Sequence, residues 1–160
     1  LGHIGDPRAV PGLLQLFHTP VRNPAVASHH GHKGRRGPEF VARDTSPNAP
    51  VALRLAVMQS LSVLVDPRAL DAILAALDDP VWEVRAQAAH CASQLGSDAA
   101  IPHLENLLSD EHWWVRFHAA EALFKLGESG FQALIKAAHS TSARAADIAG
   151  GLLREKGVAV

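Results

Sequence analysis

The chain has 160 residues with 15 basic and 16 acidic side chains, a net charge of −1 and 48% hydrophobic content, a balance that supports a folded core and excludes disorder and a whole-surface basic field for nucleic acid. Its single cysteine, Cys91, excludes an intrachain disulfide framework and a cysteine-based zinc module. No apolar run reaches the roughly 18 residues of a membrane span, no signal peptide is visible, and a start at Leu1 without methionine reads as a piece of a longer chain, its compartment left open.

In chain order, the first signal is "DPRA" at Asp6 to Ala9. Aspartate before proline predicts an N-cap followed by proline at the first helical position, where its missing N–H has no intrahelical partner to lose. Apolar residues continue at helical spacing to Phe17. From His18 to Pro50 the stripe is lost, and five of the ten prolines fall here, at positions 20, 24, 38, 47 and 50. Arg22, Lys33, Arg35, Arg36 and Arg43 outnumber Glu39 and Asp44, so this segment carries +3 against −4 for the rest. It includes "SHHGHKGRRG", Ser28 to Gly37, and is expected to be a long inserted loop. A helix follows over about Val51 to Leu64, and a second "DPRA" at Asp66 to Ala69 opens the next.

From this point the chain repeats itself. "DDPVWEVRAQAAHCASQLG" (Asp78 to Gly96) aligns without a gap with "SDEHWWVRFHAAEALFKLG" (Ser109 to Gly127) at an offset of 31 residues, and "PNAPVALRLAVMQSLSVL" (Pro47 to Leu64) shares the register. A fixed period in this range marks a solenoid. Each unit reads as two amphipathic helices: Val84, Ala88, Ala89, Ala92 and Leu95 form one apolar stripe, and Ile101, Leu104, Leu107 and Leu108 the other. Asp79 and Pro80 are expected at the N-cap and first helical position. The two "DPRA" copies lie 60 residues apart, two periods with only one first helix between them, so about 29 residues are inserted between His18 and Pro50. A worn copy, "ARAADIAGGLLREKG", follows at an offset nearer 30. The expected fold is all-α, an α-solenoid of stacked antiparallel helix pairs over residues 1–160, with repeats at about 1–17, 48–78, 79–109, 110–140 and 141–157 and the inserted loop within 18–50.

"DPRAV", "D-x-x-W-x-V-R-x-x-A-A" and "A-L-x-x-L-G" resemble the HEAT-like repeats of the phycobilisome-lyase type. The resemblance implies a scaffold or binding surface more than chemistry. It also implies that second helices line a concave surface, where Asp71, Ala75, His103, Asn106, Gln132 and Lys136 offer a mixed-charge strip suited to a protein partner. In the resembled repeats Asn48, Asp79, Asp110, Arg54, Arg85 and Arg116 belong to a structural ladder, which is expected to stop where the last unit lacks the arginine.

Residues that invite a chemical reading are few. His29, His30 and His32, with His18 as a fourth, carry imidazoles that bind zinc, nickel or copper, but without defined spacing they read first as part of an exposed loop. Arg35 and Arg36 suit phosphate or an acidic surface. Trp82 and Trp113 recur with the period and are expected to pack at helix starts, whereas Trp114 replaces Glu83 and is a candidate interface anchor. His118 and Glu121 lie three apart, with His90 equivalent to Glu121 one unit back. "VRFHAAEALFKLG" is similar to the repeats of deoxyhypusine hydroxylase, which hold iron through His-Glu pairs; here Phe117-His118 and Ala86-Gln87 stand at those places. The polar positions therefore read as a solvent-facing ladder, and no catalytic residue, metal or cofactor is assigned. The sequence-based expectation is a non-enzymatic protein-interaction module. The alternatives are a bilin-lyase-like or metal-dependent enzyme, or accessory nucleic-acid binding through the basic insert.

Overall fold

A computed structural model describes residues 6–18 and 50–159, and among these all regular structure is helical. The helices are α1 (Val10–His18), α2 (Val51–Leu64), α3 (Leu70–Leu77), α4 (Trp82–Leu95), α5 (Ile101–Leu107), α6 (Trp113–Lys125), α7 (Gly127–Ala138) and α8 (Ala143–Glu155). They stack in two layers. One row runs α2, α4, α6, α8 and the other contains α3, α5, α7, with α3 packed on α4, α5 on α6 and α7 on α8. Each amphipathic helix thus covers the apolar face of its pair and of its row neighbours, the α-solenoid arrangement.

The "DPRA" turns start helices as their composition dictates. The Asp6 and Asp66 carboxylates accept the N–H groups of Arg8 and Arg68, each at 2.9 Å, and one turn of 3-10 helix at Pro7–Ala9 and Pro67–Ala69 leads into α1 and α3. Arg68 also folds back on Asp66 at 2.7 Å and donates to the Pro7 carbonyl at 2.8 Å, tying the two turns together. That hydrogen bond from the Arg68 guanidinium holds the Asp66 carboxyl down to about 2.

Asp79 behaves differently from the expected N-cap. Helix α4 starts at Trp82 with Val81 as its N-cap, so Pro80 lies outside the helix. The Asp79 carboxylate accepts the Val81 N–H at 2.8 Å, and Asp110 accepts the His112 N–H at 2.8 Å in the same way. Each aspartate sits two residues ahead of the cap, and its carboxylate is also engaged by an arginine of the preceding repeat.

Met58, Leu61, Ile73, Leu77, Leu104, Leu108, Leu123, Leu134 and Leu153 are fully buried, and Ala76, Ala88, Ala89, Ala119 and Ala120 let neighbouring helices approach between them. Cys91 lies in this core, its Sγ donating to the Met58 carbonyl of α2 at 3.0 Å, and burial pushes its thiol up to about 12. Gly96 (φ +71°) and Gly127 (φ +74°) reverse the chain after α4 and α6 in the left-handed region that glycine tolerates. Val65 takes the same place after α2 with φ +48°.

Candidate functional site

Two features run along the row of first helices: an arginine–aspartate ladder and a patch of aromatic rings. In the ladder, Arg54 reaches across to Asp79 with Nε at 2.9 Å and Nη2 at 3.0 Å, its side chain 2% and that of Asp79 3% exposed. Arg85 grips Asp110 with Nε at 2.8 Å and Nη2 at 3.1 Å. Its Nη1 meanwhile donates to the Asp79 and Pro80 carbonyls at 2.8 and 3.2 Å. The planar guanidinium fork fits this double duty, cross-linking one helix start to the next while satisfying carbonyls of its own repeat. Arg116 repeats the inner half, Nη1 donating to the Asp110 and Glu111 carbonyls at 2.8 and 3.0 Å. Among the described residues it makes no ion pair. Asn48 lies outside the described residues.

The rings sit at the start of α6. Trp113 stacks on Phe117 at 5.1 Å and 13°, and Trp114 on His118 at 6.1 Å and 25°. Both pairs have the i,i+4 spacing that places side chains above one another on a helix. Trp113 is 49% and Trp114 54% exposed. Trp82 instead lies on His112 of the following repeat, 5.2 Å away and tilted by 9°. The shared periodic position of Trp82 and Trp113 therefore does not give them the same packing. Helix α8 starts after Ser142, which has no ring to offer Trp113 as His112 offers one to Trp82.

His118 lies beneath this patch, with Nδ1 3.7 Å from Glu121 Oε2 and its ring centroid 6.3 Å from that of His90. Burial lowers its pKa below the ordinary histidine value, the neighbouring His90 and Lys125 adding to the effect and Glu121 opposing it. Its buried Nδ1 makes no hydrogen bond. The side chain is half-buried under Trp114, so it is not the outward-facing polar rung expected from the sequence. This arrangement brings the imidazoles of His118 and His90 near a single carboxylate, that of Glu121. Ala86 is buried, and neither it nor Gln87 nor Phe117 carries an imidazole or carboxylate. Among the described residues no group of three or more His, Cys, Asp or Glu side chains is placed to hold a metal ion.

On the second helices Asp71, Ala75, Asn106, Gln132 and Lys136 are exposed and His103 is half-buried. Local partners hold much of this strip: His103 Nδ1 lies 3.3 Å from Asp78, Lys136 lies 3.7 Å from Glu105, and the Gln132 amide donates to Glu128 at 2.7 Å. His29, His30, His32, Arg35 and Arg36 lie outside the described residues. The ring stacks of α6 are a feature that sequence reasoning missed, whereas the ladder was expected to stop in the last unit; that Arg116 keeps its carbonyl contacts without a carboxylate is what the structure adds. The ring stacks were signalled by "WWVRFH", whose aromatic and imidazole side chains fall four apart.

The model of the HEAT repeat family matches residues 41–123 and 74–150. A deoxyhypusine hydroxylase of Neurospora crassa is 37% identical over 98 residues, which cover 57% of this chain and 30% of that protein. A deoxyhypusine hydroxylase of Phaeosphaeria nodorum is 35% identical over 102 residues, covering 58% of this chain and 31% of that protein. The chain thus spans less than a third of the length of these curated relatives. Both are named as enzymes, and that finding overturns the expectation of a non-enzymatic interaction module. The names are those of a hydroxylase, and the narrower likeness to lyase-type repeats gains no support from them.

Proposed function

The chain belongs to the HEAT repeat family, and from that premise we propose that its stacked helices form part of a hydroxylase acting on deoxyhypusine. The observation that carries this reading is the shared repeat sequence with two proteins of that name. The geometry supports a structural and surface share in such an enzyme. The ladder fixes the spacing of successive first helices, and the exposed rings of Trp113 and Trp114 with the half-buried His118 lie on the face where the resemblance would place metal-binding pairs. The iron implied by that resemblance does not fit the residues present, since Ala86, Gln87 and Phe117 are not ligands of the required kind. We therefore assign neither metal ligation nor any step of the reaction to positions 86, 87, 117 or 118.

Hydroxylation by dioxygen places one oxygen atom in a C–H bond of the substrate and sends the other to water, with two electrons and two protons from an external reductant. The test incubates the natural protein containing these 160 residues with a deoxyhypusine-bearing protein, iron(II), dioxygen and reductant, and reads the substrate by mass spectrometry. One added oxygen atom on the deoxyhypusine side chain is the expected result. An unchanged substrate, with the helical fold intact by circular dichroism, would overturn the reading.

A further inference from the structure

The ladder contains its own template for an unfilled position. In two successive rungs an arginine fork closes on an aspartate, Arg54 on Asp79 and Arg85 on Asp110. The backbone marks where the third carboxylate belongs. The Asp79 N–H bonds the Ala76 carbonyl at 3.3 Å, the Asp110 N–H bonds the Leu107 carbonyl at 3.1 Å, and the Ser140 N–H bonds the Ala137 carbonyl at 3.0 Å. Ser140 therefore stands at the aspartate's backbone position in the third rung, where its hydroxyl donates to the Ser142 carbonyl at 3.4 Å instead of accepting an N–H as Asp79 and Asp110 do. Arg116 holds its carbonyls through Nη1 as Arg85 does, which leaves the Nε and Nη2 edge without the carboxylate that Arg85 binds there.

We infer that Arg116 and Ser140 form a site for a phosphate-class oxyanion, which completes the third rung as Asp79 and Asp110 complete the first two. An arginine fork binds phosphate oxygens with the same paired geometry as a carboxylate. The place is open to solvent: Ser140 is exposed, and beside it lies a cavity of about 180 Å³ lined in part by Ser109, Lys136, Ser140 and Ser142. Two carboxylates of the neighbouring repeat are already engaged, Asp110 with Arg85 and Glu105 with Lys136. The oxyanion reaches this place as free phosphate or as the phosphoryl group of Ser140 itself. In the second case the Ser140 Oγ–H bond breaks and its proton passes to solvent, an Oγ–P bond forms as the terminal phosphoanhydride of a nucleoside triphosphate breaks, and a nucleoside diphosphate leaves. With a second phosphate pKa of about 6, the doubly charged form predominates at neutral pH.

Thermal unfolding of the full chain tests the site. The wild type is titrated with inorganic phosphate at constant ionic strength, and a chain carrying phosphoserine at position 140 is melted in phosphate-free buffer. Both are repeated with Arg116→Lys, which keeps a cation for the carbonyls and loses the fork. A rise of about 2–4 °C in either arm is expected, disappearing with Arg116→Lys. A saturable rise with free phosphate identifies a diffusible ion, and a rise confined to phosphoserine identifies a modification. Ser140→Asp, which rebuilds the carboxylate, should melt above Ser140→Asn by a similar margin. The inference is overturned by flat responses in both arms, by responses that persist in Arg116→Lys, or by a Ser140→Asp chain no more stable than Ser140→Asn.

Discussion

Val65 follows α2 where Gly96 and Gly127 follow α4 and α6, and it is held at φ +48° without glycine's freedom. A β-branched residue in the left-handed region costs about 1–2 kcal/mol, while glycine costs about 0.5–1 kcal/mol in unfolded-chain entropy. Val65→Gly should therefore stabilise the chain by roughly 0.5–1 kcal/mol, seen as a higher urea midpoint with an unchanged slope. Gly130 shows the reverse case, because an added Cβ would overlap the Leu123 carbonyl oxygen. Gly130→Ala should cost about 1–3 kcal/mol by overpacking, read in the same titration. The Arg54–Asp79 pair is almost wholly out of water, so Asp79→Ala removes the carboxylate that balances a buried guanidinium and should cost about 3–5 kcal/mol. Arg54→Met combined with Asp79→Leu should recover most of that loss, which a urea comparison of the three chains checks. For His118, burial sets its folded pKa below the ordinary 6.5, and the unfolded chain takes up the proton first as pH falls. Its contribution is complete above 6.5 and is lost as pH drops from there through the lower folded value. Over that window the melting point should fall more steeply in the wild type than in His118→Gln.

At the scale of the helix, much was legible in the sequence because it is written in local spacing. "DPRA" starts α1 and α3 through a carboxylate two residues from its donor, and the 31-residue register aligns α2, α4 and α6. What the spacing could not show was the choice of partner. Asp79 has the residue type and position of a helix cap, yet its carboxylate is shared between the N–H ahead of the helix and an arginine 25 residues back. Trp113 matches Trp82 by period, but a ring needs something to lie on, and the next helix decides that. The final unit hides Ser140 for a simpler reason: one residue has been dropped from the period, and strict 31-residue alignment puts Thr141 opposite Asp110. The offset nearer 30 of the worn copy points to Ser140 instead, and the backbone hydrogen bonds settle that register.

At the scale of the whole chain, the repeats form a nearest-neighbour stack in which each interface supports the next. That explains how sequence reasoning found the fold and expected an interaction module, an expectation that the likeness to two named hydroxylases overturns. The 31-residue period is carried by buried alanines, leucines and cross-repeat arginines, which any protein of this architecture needs. The likeness to two proteins named as hydroxylases lies instead in identity along the repeats themselves, without the ligand pairs on which a catalytic reading of α4 and α6 would rest. The Cys91 thiol, the sole one in the chain and bonded to the α2 carbonyl of Met58, then acts as a clock placed between α2 and α4. A thiol reagent can reach it only when those helices part. The labelling rate, followed against reagent concentration, should report how often the middle of the solenoid breathes, with no engineered probe. A chain weakened at Asp79 should label faster by the factor its lost stability implies, provided reclosing outpaces reaction with the reagent.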